Sequence, residues 1–364
     1  MIVKDVYAKK IEIRGDINMK KNFYNNLLNS LNYNGEAFVV SVTKGIYNER
    51  SIVGQKSLKS KESIFIEDEN IIEFWNRILN KVDFNKGTYK LELEDEIELF
   101  IEHVIGKPNL VICGGGHISL PLCKMGKMIE FNTTIIDDRE EFANKERFPM
   151  ADNVLCKDFN EAFKEIKFNK NTYFVIVTRG HKDDRKCLET ILKNDFYYVG
   201  MIGSKSKVAF VLNNILEDGY TKEDISKVHT PIGLKISAQT PAEIAISILG
   251  EIIQVKNEKL ISNIEDDILN KICLRDEPMV LTTIIEKRGS GPRDVGTKML
   301  VYENKKIIGT IGGGSIENAV YEKALELIQT KESTIEEYDM SNSTSAKLGM
   351  ACGGTVKVLF EFIE

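Results

Sequence analysis

The chain has 364 residues, of which 42% are hydrophobic and 29% are charged, and its formal net charge is −6. This length suits two or three domains, and no apolar run is long enough to span a bilayer. The charge argues against nucleic-acid binding, and the opening residues predict no secretory signal, so we expect a cytoplasmic protein without a membrane partner. The six cysteines form no Cys-X-X-Cys pair, which favours free thiols over disulfides or a zinc site.

The first 106 residues are predicted to form a small α+β module. Helical spacing predicts helices over 22–31 and 74–82, and β-branched or alternating residues predict strands over 37–42 and 96–104.

From Lys107 onward the pattern changes to alternating strands and helices. Five apolar runs predict strands over 110–113, 133–137, 153–156, 173–178 and 197–203. This alternation predicts a Rossmann-like domain over 107–257, with a doubly wound parallel sheet. An amphipathic helix over 241–256, with Pro241 in its first turn, is expected to close the domain.

Residues 258–364 are predicted to form a second α+β module. It contains strands over 278–286 and 355–363, a hairpin from 298–302 and 306–311, and a helix over 315–329. Its strand patterns resemble those of residues 1–106, so we interpret the N-terminal region as a degenerate copy. The predicted fold class is therefore α/β: a Rossmann-like doubly wound parallel sheet flanked by two smaller α+β modules, the N-terminal one degenerate.

The sequence GGGHIS follows the first predicted strand of the Rossmann-like domain. Gly114, Gly115, Gly116 and His117 form a strand-to-helix turn of the kind that binds phosphate at a helix N-terminus. Asp137 ends the next strand, where a carboxylate would meet a ribose hydroxyl. The alternative is a turn that only closes a strand–helix pair, and Ser119, where glycine or alanine is usual, fits that alternative.

Later strands of the same domain also end in glycines, cations and histidines, on the edge where open α/β sheets bind ligands. The candidate cofactor-binding residues there are Arg179, His181, Gly203, Ser204 and Lys205, with Lys207 and His229 as further candidates. Three of the four histidines of the chain fall in these loops, which favours a ligand pocket over a metal site. For the cations, solvated surface charge is the alternative.

The C-terminal module contains a second set of glycine-rich segments. Arg293 and the glycines Gly312, Gly313 and Gly314 lie in loops suited to an anionic or polar group. Glu317 lies in the first turn of the following helix, where it can act in the site or simply stabilise the helix dipole. Cys352, followed by Gly353, is the candidate reactive thiol; a small residue in a tight turn is the alternative. Cys113 and Cys156, in apolar strands, are expected to be buried and inert.

These motifs resemble the xanthine dehydrogenase accessory factors of the XdhC/CoxI family. The segments GGGHIS, IIDDREEFANKERFP, VTRGHKDD, YVGMIGSKSK and HTPIGLKISAQTPAEIAISI resemble the Rossmann domain of that family, in order. RGSGPRDVGTKM, GTIGGGSIE and GMACGGTVKV resemble its other module. Here that module follows the Rossmann-like domain, whereas it usually precedes it.

The resemblance implies a maturation factor for a molybdenum hydroxylase. Family members bind molybdenum cofactor, in a mononucleotide or dinucleotide form, and act with a cysteine desulfurase to sulfurate it and insert it. It favours a cofactor-binding chaperone over a turnover enzyme. On this hypothesis the glycine turn with Ser204 and Lys205 holds the phosphate end, and Cys352 contacts the molybdenum end.

Two other classes of function remain open. An NAD(P)- or flavin-dependent oxidoreductase would explain the glycine turn and Asp137 but not the C-terminal motifs. A non-enzymatic sensor or scaffold would use the same pocket to regulate a partner. The two half-sites predict a homodimer, and the sequence leaves open whether they meet within one chain or across two.

Overall fold

The structure is a computed structural model that describes residues 19–61, 63–258, 262–264, 266–274, 277–289, 293–339 and 354–364. The chain forms two compact units. One unit is Lys107–Glu258, and the other combines the chain on both sides of it.

The unit Lys107–Glu258 contains a six-stranded parallel sheet. Strands are numbered along the chain, so those of this unit begin at β8. They are β8 Asn109–Cys113, β9 Asn132–Asp137, β10 Asn153–Cys156, β11 Thr172–Ile176, β12 Tyr198–Met201 and β13 Val228–His229. Their order in the sheet is β10-β9-β8-β11-β12-β13, the doubly wound Rossmann order with a switch point between β8 and β11. The predicted fold class is confirmed.

Helices cover both faces of this sheet, which is why its central strands β8, β11 and β12 are almost entirely buried. The helices are α3 Ser119–Met128, α4 Phe159–Phe163, α5 His181–Leu192, α6 Lys205–Glu217, α7 Lys222–Ser226 and α8 Pro241–Lys256. Within β8, Leu110 and Ile112 face the core beneath α3 and α8, while Val111 and Cys113 face the core beneath α5 and α6. Helix α8 has the predicted bounds, and Thr240 with Glu243 forms a capping box at its start.

The other unit contains two large, mainly antiparallel sheets and a separate two-stranded antiparallel sheet. Its N-terminal part has α1 Met19–Asn34, β1 Glu36–Lys44, β2 Ile46–Tyr47, β3 Arg50–Ser51, β4 Lys56–Lys59, β5 Ile64–Ile66, α2 Ile72–Leu79, β6 Tyr89–Glu92 and β7 Glu98–Ile105. Its C-terminal part has β14 Ser262–Asn263, α9 Asp266–Leu274, β15 Met279–Gly289, β16 Lys298–Tyr302, β17 Ile307–Gly309, α10 Gly314–Thr330, β18 Thr334–Asp339 and β19 Gly354–Ile363. We call these parts the N-module and the C-module.

The two modules share one strand order. The N-module sheet runs β5-β4-β1-β7, where β7 also pairs antiparallel with β6 and in parallel with the short β14. The C-module sheet runs β17-β16-β15-β19-β18. In each module one face of the sheet packs on the module's own helix, α2 or α10. The opposite faces contribute to one shared core, together with α1 and α9.

The structure corrects several details of the sequence prediction. Cys156 is exposed, because it ends β10 at the edge of its sheet. The predicted hairpin is confirmed, but its second strand ends at Gly309, which has φ +77° and lies against the backbone of Lys298. The short strands of the N-module between β1 and β7 carry no clear sequence signal and were not predicted.

Candidate functional site

The glycine turn joins β8 to α3 and is packed against two other segments. A Cβ on Gly114 would lie 2.5 Å from the carbonyl oxygen of Val177, and one on Gly115 would lie 2.1 Å from that of Phe142. These two positions therefore require glycine because backbone approaches them. Gly116 differs, since nothing lies within 4 Å of the position that its Cβ would take. The open side of the turn is thus at Gly116 and at the exposed His117.

Asp137 supports this turn from the end of β9. Its Oδ2 accepts a hydrogen bond from the Gly115 N–H at 2.8 Å, and Arg139 Nε and Nη2 donate to Oδ1 and Oδ2 at 2.8 and 2.9 Å. Burial alone would raise the pKa of Asp137, but these hydrogen bonds outweigh it and hold the pKa below its usual value. Both carboxylate oxygens are occupied, so a ribose hydroxyl would have to compete with Arg139.

Ser119 and Arg147, the second of which the sequence analysis missed, complete the turn. The Ser119 hydroxyl is fully buried and donates to the Gly114 carbonyl at 2.5 Å. Arg147 donates from Nε to the Gly115 carbonyl at 3.1 Å and from Nη2 to the Gly116 carbonyl at 3.3 Å. Ser119 therefore has a structural reason to be where glycine or alanine is usual. Only the spatial arrangement reveals Arg147, which is 31 residues away from Gly116.

A second polar cluster links the ends of β11 and β12. The buried Asp184 accepts a hydrogen bond from the Thr178 hydroxyl at 2.6 Å and contacts the Lys207 ammonium. Burial raises the pKa of Asp184 although Lys207 and Thr178 favour its charged form. Lys207, a candidate for phosphate binding, is therefore held by a carboxylate in the structure.

The other predicted residues of this unit lie around the two clusters. Arg179 is exposed, and its guanidinium is 3.9 Å from Asp138. Ser204 follows Gly203 and caps α6 by accepting from the Lys207 N–H at 3.3 Å, and Lys205 is exposed in the first turn of that helix.

The three histidines of this unit lie in different surroundings. His117 and His181 are exposed at the ends of β8 and β11, which are adjacent strands. His229 lies on β13 at the sheet edge, where its Nδ1 is 3.5 Å from Glu251 and its ring is 4.6 Å from that of Tyr198. The first two thus share the edge of the glycine turn, whereas His229 belongs to a separate cluster.

The glycine loop of the C-module precedes α10. Gly312, Gly313 and Gly314 have φ values of +124°, +74° and +72°, a region that side chains rarely adopt. Glu317 Oε2 accepts hydrogen bonds from the N–H groups of Ile311 and Gly313, both at 3.1 Å, and from the Thr310 hydroxyl.

Glu317 therefore holds this loop by its own carboxylate. Burial would raise its pKa, but the hydrogen bonds from Thr310 and the loop N–H groups outweigh it, so the pKa is lowered. A second anion could not use the same N–H groups while Glu317 occupies them. Its position gives it a structural role, more specific than the dipole interaction considered from the sequence.

Of the remaining C-module candidates, Arg293 is the one that lies within the described residues. Cys352 and Gly353 lie outside the described residues, as do the three residues before Arg293. Arg293 itself is exposed. Within the described ranges, no three His, Cys, Asp or Glu side chains are grouped so as to hold a metal ion. None of the described helices combines the length and apolar character needed to cross a membrane.

The parallel sheet, the glycine turn and the separate glycine-loop module define a Rossmann protein with an added α+β unit. Residues 110–252 match the family described as the XdhC Rossmann domain, and residues 273–339 match the XdhC and CoxI family. The chain belongs to the XdhC and CoxI family.

Individual relatives are similar to parts of the chain. It is 32% identical over 152 residues to the Escherichia coli (strain K12) protein YqeB, covering 42% of this chain and 28% of that protein. It is 24% identical over 213 residues to a Bacillus subtilis (strain 168) protein named as a probable xanthine dehydrogenase component, covering 58% of this chain and 62% of that protein. A crystal structure of a xanthine dehydrogenase from Bacillus halodurans has 25% identity and a TM-score of 0.47, covering 64% of this chain and 65% of that one. The chain thus spans less than two thirds of each relative's length.

Proposed function

We propose that the protein is an accessory factor for a molybdenum hydroxylase of the xanthine dehydrogenase type. In this role it binds molybdenum cofactor, assists its sulfuration together with a cysteine desulfurase, and assists its insertion into the apoenzyme. Membership of the XdhC and CoxI family supports the proposal, as does the name of the Bacillus subtilis relative.

The observation that carries the proposal is the open side of the glycine turn. Molybdenum cofactor ends in a phosphate, or in a pyrophosphate in its dinucleotide form. A helix N-terminus suits such a group, because free N–H groups and the helix dipole favour an anion. Gly116 leaves room for it, and Arg147 brings a guanidinium to the same turn. Arg147 forms no ion pair with a carboxylate among the described residues, so its charge is available to a ligand.

The other residues have distinct roles in this proposal. His117, His181 and Arg179 border the turn, and Ser204 with Lys205 provides polar groups at the end of β12. Cys352 is the group that would meet the molybdenum end, since a thiolate suits a soft metal–sulfur centre. When bound, the cofactor supplies the molybdenum centre whose oxo ligand is exchanged for a sulfido ligand. Glu317 keeps the loop of Gly312, Gly313 and Gly314 in its left-handed conformation.

A nicotinamide-dependent oxidoreductase has less support. In such enzymes the acid after the second strand binds a ribose hydroxyl. Here Asp137 instead binds Gly115 and Arg139.

The experiment is anaerobic purification from cells that make the cofactor, followed by measurement of molybdenum and pterin per chain. The Gly116→Val variant adds a branched side chain on the open side of the turn, where a Cβ meets no atom within 4 Å. The control is Ser226→Val, an exposed change on α7. We expect wild type and control to retain both components and Gly116→Val to lose most of both. Equal content in all three proteins would refute the assigned site, and saturable NADPH binding with turnover would favour the oxidoreductase.

A further inference from the structure

The faces by which the N-module and the C-module meet carry equivalent residues. On the central strands β1 and β15, the pairs Ala37 with Met279 and Val39 with Leu281 occupy matching positions. The next strands add Leu58 with Leu300, and Val104 with Ile363. All eight side chains are buried in the single core that the two modules share. Each module therefore presents the same kind of apolar surface to the other.

The charges on these faces are also equivalent. Lys56 on β4 pairs in register with Ser41, and Lys298 on β16 pairs with Thr283 at the matching position of β15. Glu102 on β7 pairs with Val39, and Glu361 on β19 pairs with Leu281. In each module the lysine-bearing and glutamate-bearing strands flank the central strand with the same offset.

These four side chains form two reciprocal ion pairs between the modules. Lys56 Nζ lies 2.7 Å from the Glu361 carboxylate, and Lys298 Nζ lies 2.5 Å from Glu102 Oε1. All four side chains are at most 6% exposed. The lysine of each module thus meets the glutamate of the other, as in a dimer with twofold symmetry.

The N-module lacks the features of the candidate site. Between β5 and α2, where the C-module has its glycine loop, the N-module has Glu67–Asp68–Glu69–Asn70–Ile71 and no glycine. Its retained features are the shared apolar face and the paired charges. The N-module therefore has the residues that pack and pair with the C-module, without the glycine loop.

We infer that the face of the C-module is self-complementary and that the N-module occupies the place of a second C-module. The chain carries its own pairing partner, with one glycine loop in each pair of modules. The occupant of this face is thus part of the same chain. The inference does not depend on the proposed function.

The test reverses the charges of the N-module alone, in the full chain, by Lys56→Glu with Glu102→Lys. This variant opposes like charges across the shared face, while the C-module remains complementary to another C-module. We expect the folding equilibrium constant of the monomer to fall by about 100-fold or more. We also expect a concentration-dependent dimer in sedimentation. Adding Lys298→Glu and Glu361→Lys restores opposite charges and should restore the mass and most of the stability of wild type.

The control is Lys44→Glu with Glu96→Lys, which reverses an exposed ion pair of the same module. It should leave both the mass and the urea midpoint unchanged. If the N-module variant does not fold, recovery in the fourfold variant still decides the question. A fourfold variant no more stable than the N-module variant would overturn the inference. So would an N-module variant that stays monomeric with the wild-type midpoint.

Discussion

Lys56 and Glu361 are 305 positions apart in the chain and form a buried ion pair of 2.7 Å. Each side chain is only 4% exposed, and the Tyr24 hydroxyl donates to the same carboxylate at 3.2 Å. Burial together with Glu361 raises the pKa of Tyr24 well above its usual value, so this phenol stays protonated and acts as a donor. The pair joins two modules that lie on either side of the Rossmann unit in sequence.

Removing one partner of this pair should be strongly destabilising. Lys56→Met leaves Glu361 as an uncompensated buried charge, and the free energy of unfolding should fall by about 3–5 kcal/mol. Lys56→Met combined with Glu361→Met removes both charges and should recover most of that loss. Urea unfolding of the two variants and wild type measures the difference. A single variant as stable as wild type would show that the pair contributes nothing.

Substitution by alanine should destabilise the protein much more at Gly115 than at Gly116. Gly115→Ala places a methyl group 2.1 Å from the Phe142 carbonyl oxygen, so backbone must shift, at roughly 1–3 kcal/mol or more. Gly116→Ala meets no atom and should change stability by less than about 1 kcal/mol. Thermal or urea unfolding measures both. Equal losses would mean that the Phe142 segment does not pack on the turn as described.

The link between Lys90 and Glu286 should make stability depend on pH. Although burial raises the pKa of Glu286, Lys90 at 2.8 Å, Lys357 and Arg288 outweigh it and lower the pKa from 4.5 to about 2. A lowered pKa in the folded state means that the stabilisation is complete above the unfolded pKa and is lost as pH falls towards about 2.

Glu286→Gln provides the comparison. The difference in unfolding free energy between wild type and this variant should be constant above about pH 5 and should shrink as pH falls from about 4.5 to 2. Urea unfolding at a series of pH values gives this difference. A difference that does not vary over that range would contradict the lowered pKa.

Much of the Rossmann unit could be predicted because its signals are local. Strands buried on both faces are continuous apolar runs, and a glycine turn with an acid 22 residues after Gly115 has a recognisable spacing. The bounds of α8 followed from its amphipathic pattern and from Pro241 in its first turn.

The partners of the site residues could not be predicted, because they depend on contacts between distant segments. Asp137 has the spacing of a ribose ligand, yet it binds Gly115 and Arg139, since the chain after β9 folds back onto the turn. Arg147 looks like an ordinary surface cation in sequence, and Lys207, a predicted ligand-binding candidate, is held by the buried Asp184. Cys156 was wrongly predicted to be buried, because an apolar run does not reveal that its strand lies at a sheet edge. Cys352 lies outside the described residues, and its role stays a prediction.

The most direct test of the proposed function is the activity of a xanthine dehydrogenase-type hydroxylase in cells that lack this protein. The deletion strain should be complemented with wild type, with Cys352→Ala and with Cys156→Ala, the last removing an exposed thiol outside the proposed site. We expect the deletion to give hydroxylase that lacks activity and the sulfido ligand. Wild type and Cys156→Ala should restore both, and Cys352→Ala should not. Fully active, sulfurated hydroxylase in the deletion strain would contradict the accessory role itself.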